Sequence, residues 1–126
     1  MRTYPGEQWR RIEFEPGALR LNYAISNFGR IVSYREKRED GKLLKGGILG
    51  GYPTFVCRPQ GKSTTLYIHK ISAEHFLERP SEDHKYVIHL DYNKKNNHVD
   101  NLQWATKETM EAQQQGSPYV IDSREK

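Results

Sequence analysis

The chain has 126 residues with 20 Lys+Arg against 16 Asp+Glu, a net charge of +4, a mean hydropathy of -0.92 and one cysteine. That length suits a single domain, residues 1–126, hiding roughly two-thirds of its unfolded surface on folding. The lone Cys57 excludes an internal disulfide and a multi-cysteine zinc site, and no apolar run approaches a membrane span, so a soluble protein of a reducing cytoplasm is expected.

Met1 to Gly6 carries no apolar signal region. In Glu7-Gln8-Trp9-Arg10-Arg11-Ile12, Trp9 and Ile12 read as core anchors. Tyr23 to Ser33 reads as strand, tight turn, strand, with Asn27 and Gly29 able to take the positive backbone dihedral of the turn. Tyr34 to Lys45 is charged and reads as a hairpin connection or a flexible loop. Gly46, Gly47, Gly50 and Gly51 then mark a mobile or tightly bent link. Their spacing is not that of a nucleotide-binding loop, and no Lys-Ser/Thr follows.

Tyr52 to Arg58 and Thr64 to His69 are β-like runs around the turn chemistry of Pro59 to Ser63, a second hairpin. Cys57 sits in the first run as a small buried apolar residue. Lys70 to Leu77 reads as a short helix ended by Arg79-Pro80-Ser81. An apolar run ends at His89, an Asn/Asp-rich loop follows, and a last helix is expected over Lys107 to Gln115, before a frayed tail at 116–126. Asp91, Asn93, Asn96, Asn97, Asp100 and Asn101 can hydrogen-bond nearby backbone, so this loop can be rigid without a core of its own. A rigid loop beside a strand-end histidine suits a held general base. His69, His75, His84 and His98 show no zinc-type spacing and read as packing or surface groups.

Charge is uneven: residues 1–63 hold 12 Lys/Arg and 6 Asp/Glu, net +6, whereas residues 64–126 hold 8 and 10, net -2. A basic front half suggests a polyanion-binding surface there.

Two stretches resemble known modules. His89, Asp91, Asn93, Lys94, Asn96, Asn97, Asn101, Leu102, Trp104 and Thr106 fit the text of the phage-type HNH homing endonucleases, Asn/Asp-His-Ile/Lys-Asp-Gly-Asn-Lys-x-Asn-Asn-x-x-x-Asn-Leu-x-Trp-x-Thr. Trp9, Ile12, Tyr23, Ile25, Ser26, Asn27, Gly29, Arg30, Ile31 and Ser33 resemble the nuclease-associated motif that precedes HNH domains. The resemblance implies an α+β fold, N-terminal antiparallel β-hairpins followed by a strand–loop–strand–helix ββα unit. It divides the chain into a DNA-binding motif (7–35), a basic loop and hairpin (36–68), the ββα unit (69–115) and the tail (116–126).

It further implies His89 as general base, with Asn97 or Asn96 orienting it. Double-stranded DNA would be the partner, in the cytoplasm of a bacterial host cell. The candidate phosphate or groove contacts are Arg10, Arg11, Arg30, Arg35, Lys37, Arg38, Lys42, Lys45, Arg58 and Lys62, with Lys94 and Lys95 near the old cut site. No additional C-terminal DNA-reading module is visible.

The same register exposes two departures. The family's first metal ligand precedes the histidine, and here that position is Ile88; the second lies six residues after the tryptophan, and here it is Met110. Magnesium or manganese requires oxygen ligands, which neither residue has. Both turned apolar, they could pack on each other where an ion once tied strand to helix. No metal is therefore expected, and the reading is a DNA-binding protein with weak or no cleavage. The alternatives are an active nicking endonuclease that holds Mg or Mn on other ligands, and a protein-binding effector that reuses the scaffold.

Overall fold

A computed structural model describes residues 2–13, 21–57 and 63–116. Arg58, Lys62, the turn between the second pair of strands and the expected tail beyond residue 116 lie outside the described residues.

The first sheet has the order β1-β2-β3-β4, all antiparallel: β1 (Trp9–Arg11), β2 (Asn22–Ser26), β3 (Ile31–Tyr34) and β4 (Lys42–Leu43). The β2–β3 turn is closed by Ser26, whose Oγ accepts from the backbone N–H of Phe28 (3.1 Å) and Arg30 (3.2 Å), and by Gly29 at φ +83°. Of the two readings open for residues 34–45, β4 selects the hairpin. Part of that charged stretch pairs with β3 after one 3₁₀ turn, Arg38–Asp40, because Leu44 returns its amide to Ile31 O at 2.9 Å.

The second sheet is β5 (Gly47–Leu49), β6 (Tyr52–Cys57) and β7 (Thr64–Tyr67). The glycine pair at 50–51 is the two-residue turn between β5 and β6, with φ +61° and +87°. Consecutive positive dihedrals match the twist of a hairpin and suit glycine. The bent link expected there is thus a defined turn. Cys57 is free and buried.

Helix α1 (Ile68–Phe76) follows β7 directly and serves two cores. Ile68 joins Ile12, Ile25, Ile31 and Phe55, with Ile71 and Phe76 packed against them. Ala73 instead joins Val87, Leu102 and Trp104, with Leu77 alongside. The two-stranded β8 (Tyr86–His89) and β9 (Leu102–Ala105) carry that second core, and α2 (Lys107–Gln115) closes the unit. Thr106 caps α2 by accepting from Thr109 N at 3.3 Å, which offsets one of the unpaired amides of the first turn. Trp104 is core, and its indole N–H donates to Leu77 O at 3.2 Å.

Candidate active site and nucleic-acid interface

His89 ends β8, and its ring is 5% exposed. Its Nε2 lies 2.7 Å from Asn97 Oδ1. A carboxamide oxygen only accepts, so Nε2 carries the proton and Nδ1 keeps its lone pair. Burial, and secondarily Lys94, hold the imidazole pKa below its ordinary value against the opposing pull of Asn97 and Asp91. The ring is therefore neutral at pH 7, the form a general base requires. Of the two asparagines offered by the sequence, Asn97 (5% exposed) is the partner; Asn96 instead donates to Asp91 Oδ2 at 2.8 Å.

The loop between the strands is braced as its composition predicts. Asp91 Oδ1 accepts from Asn93 N (2.8 Å) and Asn101 Nδ2 (2.8 Å), and Asn101 Oδ1 accepts from Asp91 N (3.0 Å). The bond from Asn96 leads the contacts that hold the Asp91 carboxyl below its usual range. Asn97 is also held from outside the unit. The β2–β3 turn lies against it: Asn27 O accepts from Val99 N at 2.9 Å, and a Cβ on Gly29 would sit 2.8 Å from Asn97 Cβ. Asn27 ties that turn to the N-terminal segment through Gln8 N (2.7 Å) and Gly6 O (3.1 Å). Phe28 packs on His98 with ring centroids 4.7 Å apart and the rings tilted by 31°, so His98 is a packing and hydrogen-bonding group.

Three features escaped the sequence reading. His69 is 4% exposed, its ring centroid is 5.2 Å from that of His89, and its Nδ1 is buried without a hydrogen-bond partner. Burial, then His89 and Lys70, depress its pKa to about 3. Tyr52 stacks on His69 at 4.8 Å and carries Lys94 Nζ 4.5 Å above its ring. Lys94 also donates to Gly50 O at 3.2 Å, linking the asparagine-rich loop to the β5–β6 turn. Tyr92 is the one non-glycine residue with positive φ (+64°) among the described residues. For an L-residue with a full side chain that costs roughly 1–2 kcal/mol. The available signal was a tyrosine at the position where the resembled text has glycine.

Ile88 (7% exposed) and Met110 do not join either apolar cluster. Both residues line an open cavity of about 430 Å³ shared with His89, Tyr52, Tyr92, Lys94, Glu111 and Gln113 to Gln115. Gln113 Nε2 donates to His89 O and bridges α2 to β8 across it. Magnesium and manganese need several oxygen donors converging on one point. The two positions facing each other from strand and helix supply an alkyl group and a thioether. Among the described residues no three His, Cys, Asp or Glu side chains gather into a metal-holding set. At positions 88 and 110 the side chains do not fit a hard cation.

The basic candidates fall into distinct groups. Arg30 is committed to the buried Glu7, through Nε at 2.7 Å and a second bond from its guanidinium, and lies over the rings of Tyr4 and Trp9. That partner keeps the Arg30 pKa raised. Arg10 donates to His75 O and covers Phe76 at 4.7 Å, docking β1 on α1. Arg11 donates to Asn22 Oδ1 at 3.0 Å, and Arg38 is half-buried beside Glu39. Arg35, Lys37, Lys42, Lys45 and Lys95 are exposed. Arg10 and Arg30 thus each make contacts within the fold through an aromatic ring and a carbonyl or carboxylate partner.

Two short strands, a loop clasped by asparagine side chains, a closing helix and a buried His–Asn pair define an HNH-type ββα unit behind an N-terminal antiparallel sheet. The NUMOD4 motif matches residues 7–56. The chain is 35% identical over 101 residues to the DNA endonuclease I-HmuI of Bacillus phage SP01, covering 79% of this chain and 53% of that protein. It is 36% identical over 84 residues to the HNH endonuclease L247 of Acanthamoeba polyphaga mimivirus, covering 66% of this chain and 20% of the relative. The solved structure of the HNH homing endonuclease I-HmuI, which describes DNA binding and cleavage by that enzyme, superposes with a TM-score of 0.72 at 31% identity, covering 94% of this chain and 63% of that one. The chain is a homologue of the HNH homing endonucleases and carries a NUMOD4 motif. It spans between about a fifth (20%) and about half (53%) of the length of these curated relatives. No helix among the described residues is long and apolar enough to cross a membrane.

Proposed function

We propose that this protein binds double-stranded DNA through its N-terminal sheet and presents the ββα unit to the backbone with a degenerate metal centre, so that cleavage is weak or absent. One observation carries the second half: the cavity beside His89 is floored by Ile88 and Met110. The His89–Asn97 pair retains a neutral base, and a base alone contributes about a hundred- to ten-thousandfold. A metal ion would add several kcal/mol of charge stabilisation at the leaving oxygen, about a thousandfold or more in rate. Ile88 and Met110 offer such an ion no oxygen ligand.

DNA contact falls to the exposed cations Arg35, Lys37, Lys42 and Lys45 on and beside the first sheet, with Lys95 on the loop next to the His–Asn pair. Their contribution is sequence-independent and weakens as salt rises.

The test is nicking of supercoiled plasmid with Mg²⁺ or Mn²⁺. The wild-type chain leaves the plasmid intact, and the double variant Ile88→Asp/Met110→Asn gains nicking. Wild-type nicking that vanishes in His89→Ala rejects the degenerate site. Failure to retain duplex DNA at low salt rejects the DNA-binding half.

A further inference from the structure

The cavity bordered by Ile88 and Met110 has a lining that suits a different kind of ligand from a phosphate. Its lining exposes more apolar than polar surface, and its two charged side chains, Lys94 and Glu111, cancel. A pocket for a free phosphate would concentrate cations or backbone amides. This one instead offers an apolar floor, an aromatic wall and neutral carboxamides. A volume near 430 Å³ lies within the range of small-ligand sites. The wall is Tyr92. Tyr52 is covered by His69 and Lys94, but among the described residues no ring contact engages Tyr92, whose half-buried side chain lines the cavity. Its backbone holds a dihedral that glycine would hold without strain, so the fold tolerates a ring where the backbone favours none. Strain of this kind is retained where a side chain clamps a ligand. Gln113 already donates its amide to His89 O, and Gln114, which carries no such bond, lines the cavity as well.

We propose that this cavity receives one unstacked nucleobase of bound DNA, stacked on Tyr92 and met at its edge by the Gln114 carboxamide, with Lys94 at the flanking phosphate. A flat, neutral ring edged with donors and acceptors is the ligand class that such a pocket suits, and aromatic stacking on extruded bases is its general mode of recognition. The proposal rests on the DNA-binding reading above.

The experiment compares three fluorescent probes of one sequence at low salt by anisotropy: a fully paired duplex, the same duplex with a single-base bulge, and the bulged duplex carrying 2-aminopurine at the bulge. The bulged duplex should bind roughly five- to a hundredfold tighter, the worth of one base–aromatic stack, with 2-aminopurine emission altered on binding. Tyr92→Gly should erase the preference while leaving paired-duplex affinity and the melting temperature undiminished; Tyr92→Trp should keep it. Equal affinity for paired and bulged duplexes, or a preference that survives Tyr92→Gly, overturns the proposal alone. No binding to any probe overturns it together with the DNA-binding reading. Competition by micromolar free deoxynucleoside monophosphates would assign the pocket to a free nucleotide and overturn the assignment to strand-borne bases.

Discussion

Replacing Gly29 by alanine tests how the N-terminal sheet governs the His–Asn pair. The new Cβ would lie 2.8 Å from Asn97 Cβ, 2.8 Å from Asn97 O and 3.1 Å from Asn97 C. These are backbone and first side-chain atoms, so no rotamer change relieves the overlap and the loop must move. The φ of +83° adds about 1–2 kcal/mol of left-handed strain. Reduced freedom of the unfolded chain returns about 0.4–1 kcal/mol. Loss of the 2.7 Å bond between Asn97 and His89 contributes about 1 kcal/mol more. Together with the displaced loop, we expect a destabilisation of about 2–4 kcal/mol, a fall in melting temperature of about 10 °C. Chemical unfolding measures the first quantity. Long-range ¹H–¹⁵N spectra of the histidines measure the second consequence, loss of the strong Nε2–H tautomer bias at His89. Gly29→Asn separates the contributions, because asparagine tolerates the left-handed region but still carries the intruding Cβ. A destabilisation below about 1 kcal/mol with the His89 tautomer unchanged would refute the buttressing argument.

Stability should fall on mild acidification. Burial keeps the His69 pKa at about 3 in the folded chain against the ordinary histidine value of 6.5. The unfolded chain therefore takes up the proton first as pH drops below 6.5, and the native state loses up to about 2 kcal/mol by pH 5. His89, also depressed, acts in the same direction. His69→Phe should flatten the profile between pH 6.5 and 5, and an unchanged slope would show that His69 is not held neutral. Asn101→Ala removes two bonds from Nδ2, to Asp91 Oδ1 (2.8 Å) and Asn96 O (2.9 Å), and one accepted from Asp91 N (3.0 Å). The loss should be about 1.5–3 kcal/mol, with faster amide exchange confined to residues 91–97; uniform protection would contradict the clasp.

How much was legible depended on the reach of each interaction. The β2–β3 hairpin, α2 with bounds Lys107–Gln115, and the clasped loop all follow from turn chemistry and from side chains that bond backbone within about ten residues. The general-base candidate His89 and its shared role with an asparagine were readable from the motif. The choice of Asn97 over Asn96 was not, since both lie in one loop and only the packing of Gly29 against Asn97 separates them.

By itself, the sequence determined the α+β class, the order of the elements, the loop that orients His89 and the absence of oxygen at positions 88 and 110. Only the tertiary structure decided that Ile88 and Met110 border an open cavity, that His69 and Tyr52 stand beside His89, that Arg10 and Arg30 serve the fold, and that Lys94 reaches the Gly50–Gly51 turn. Periodicity and turn chemistry act between neighbours along the chain. Those later contacts join residues 17 or more positions apart, and packing alone fixes which of their side chains meet.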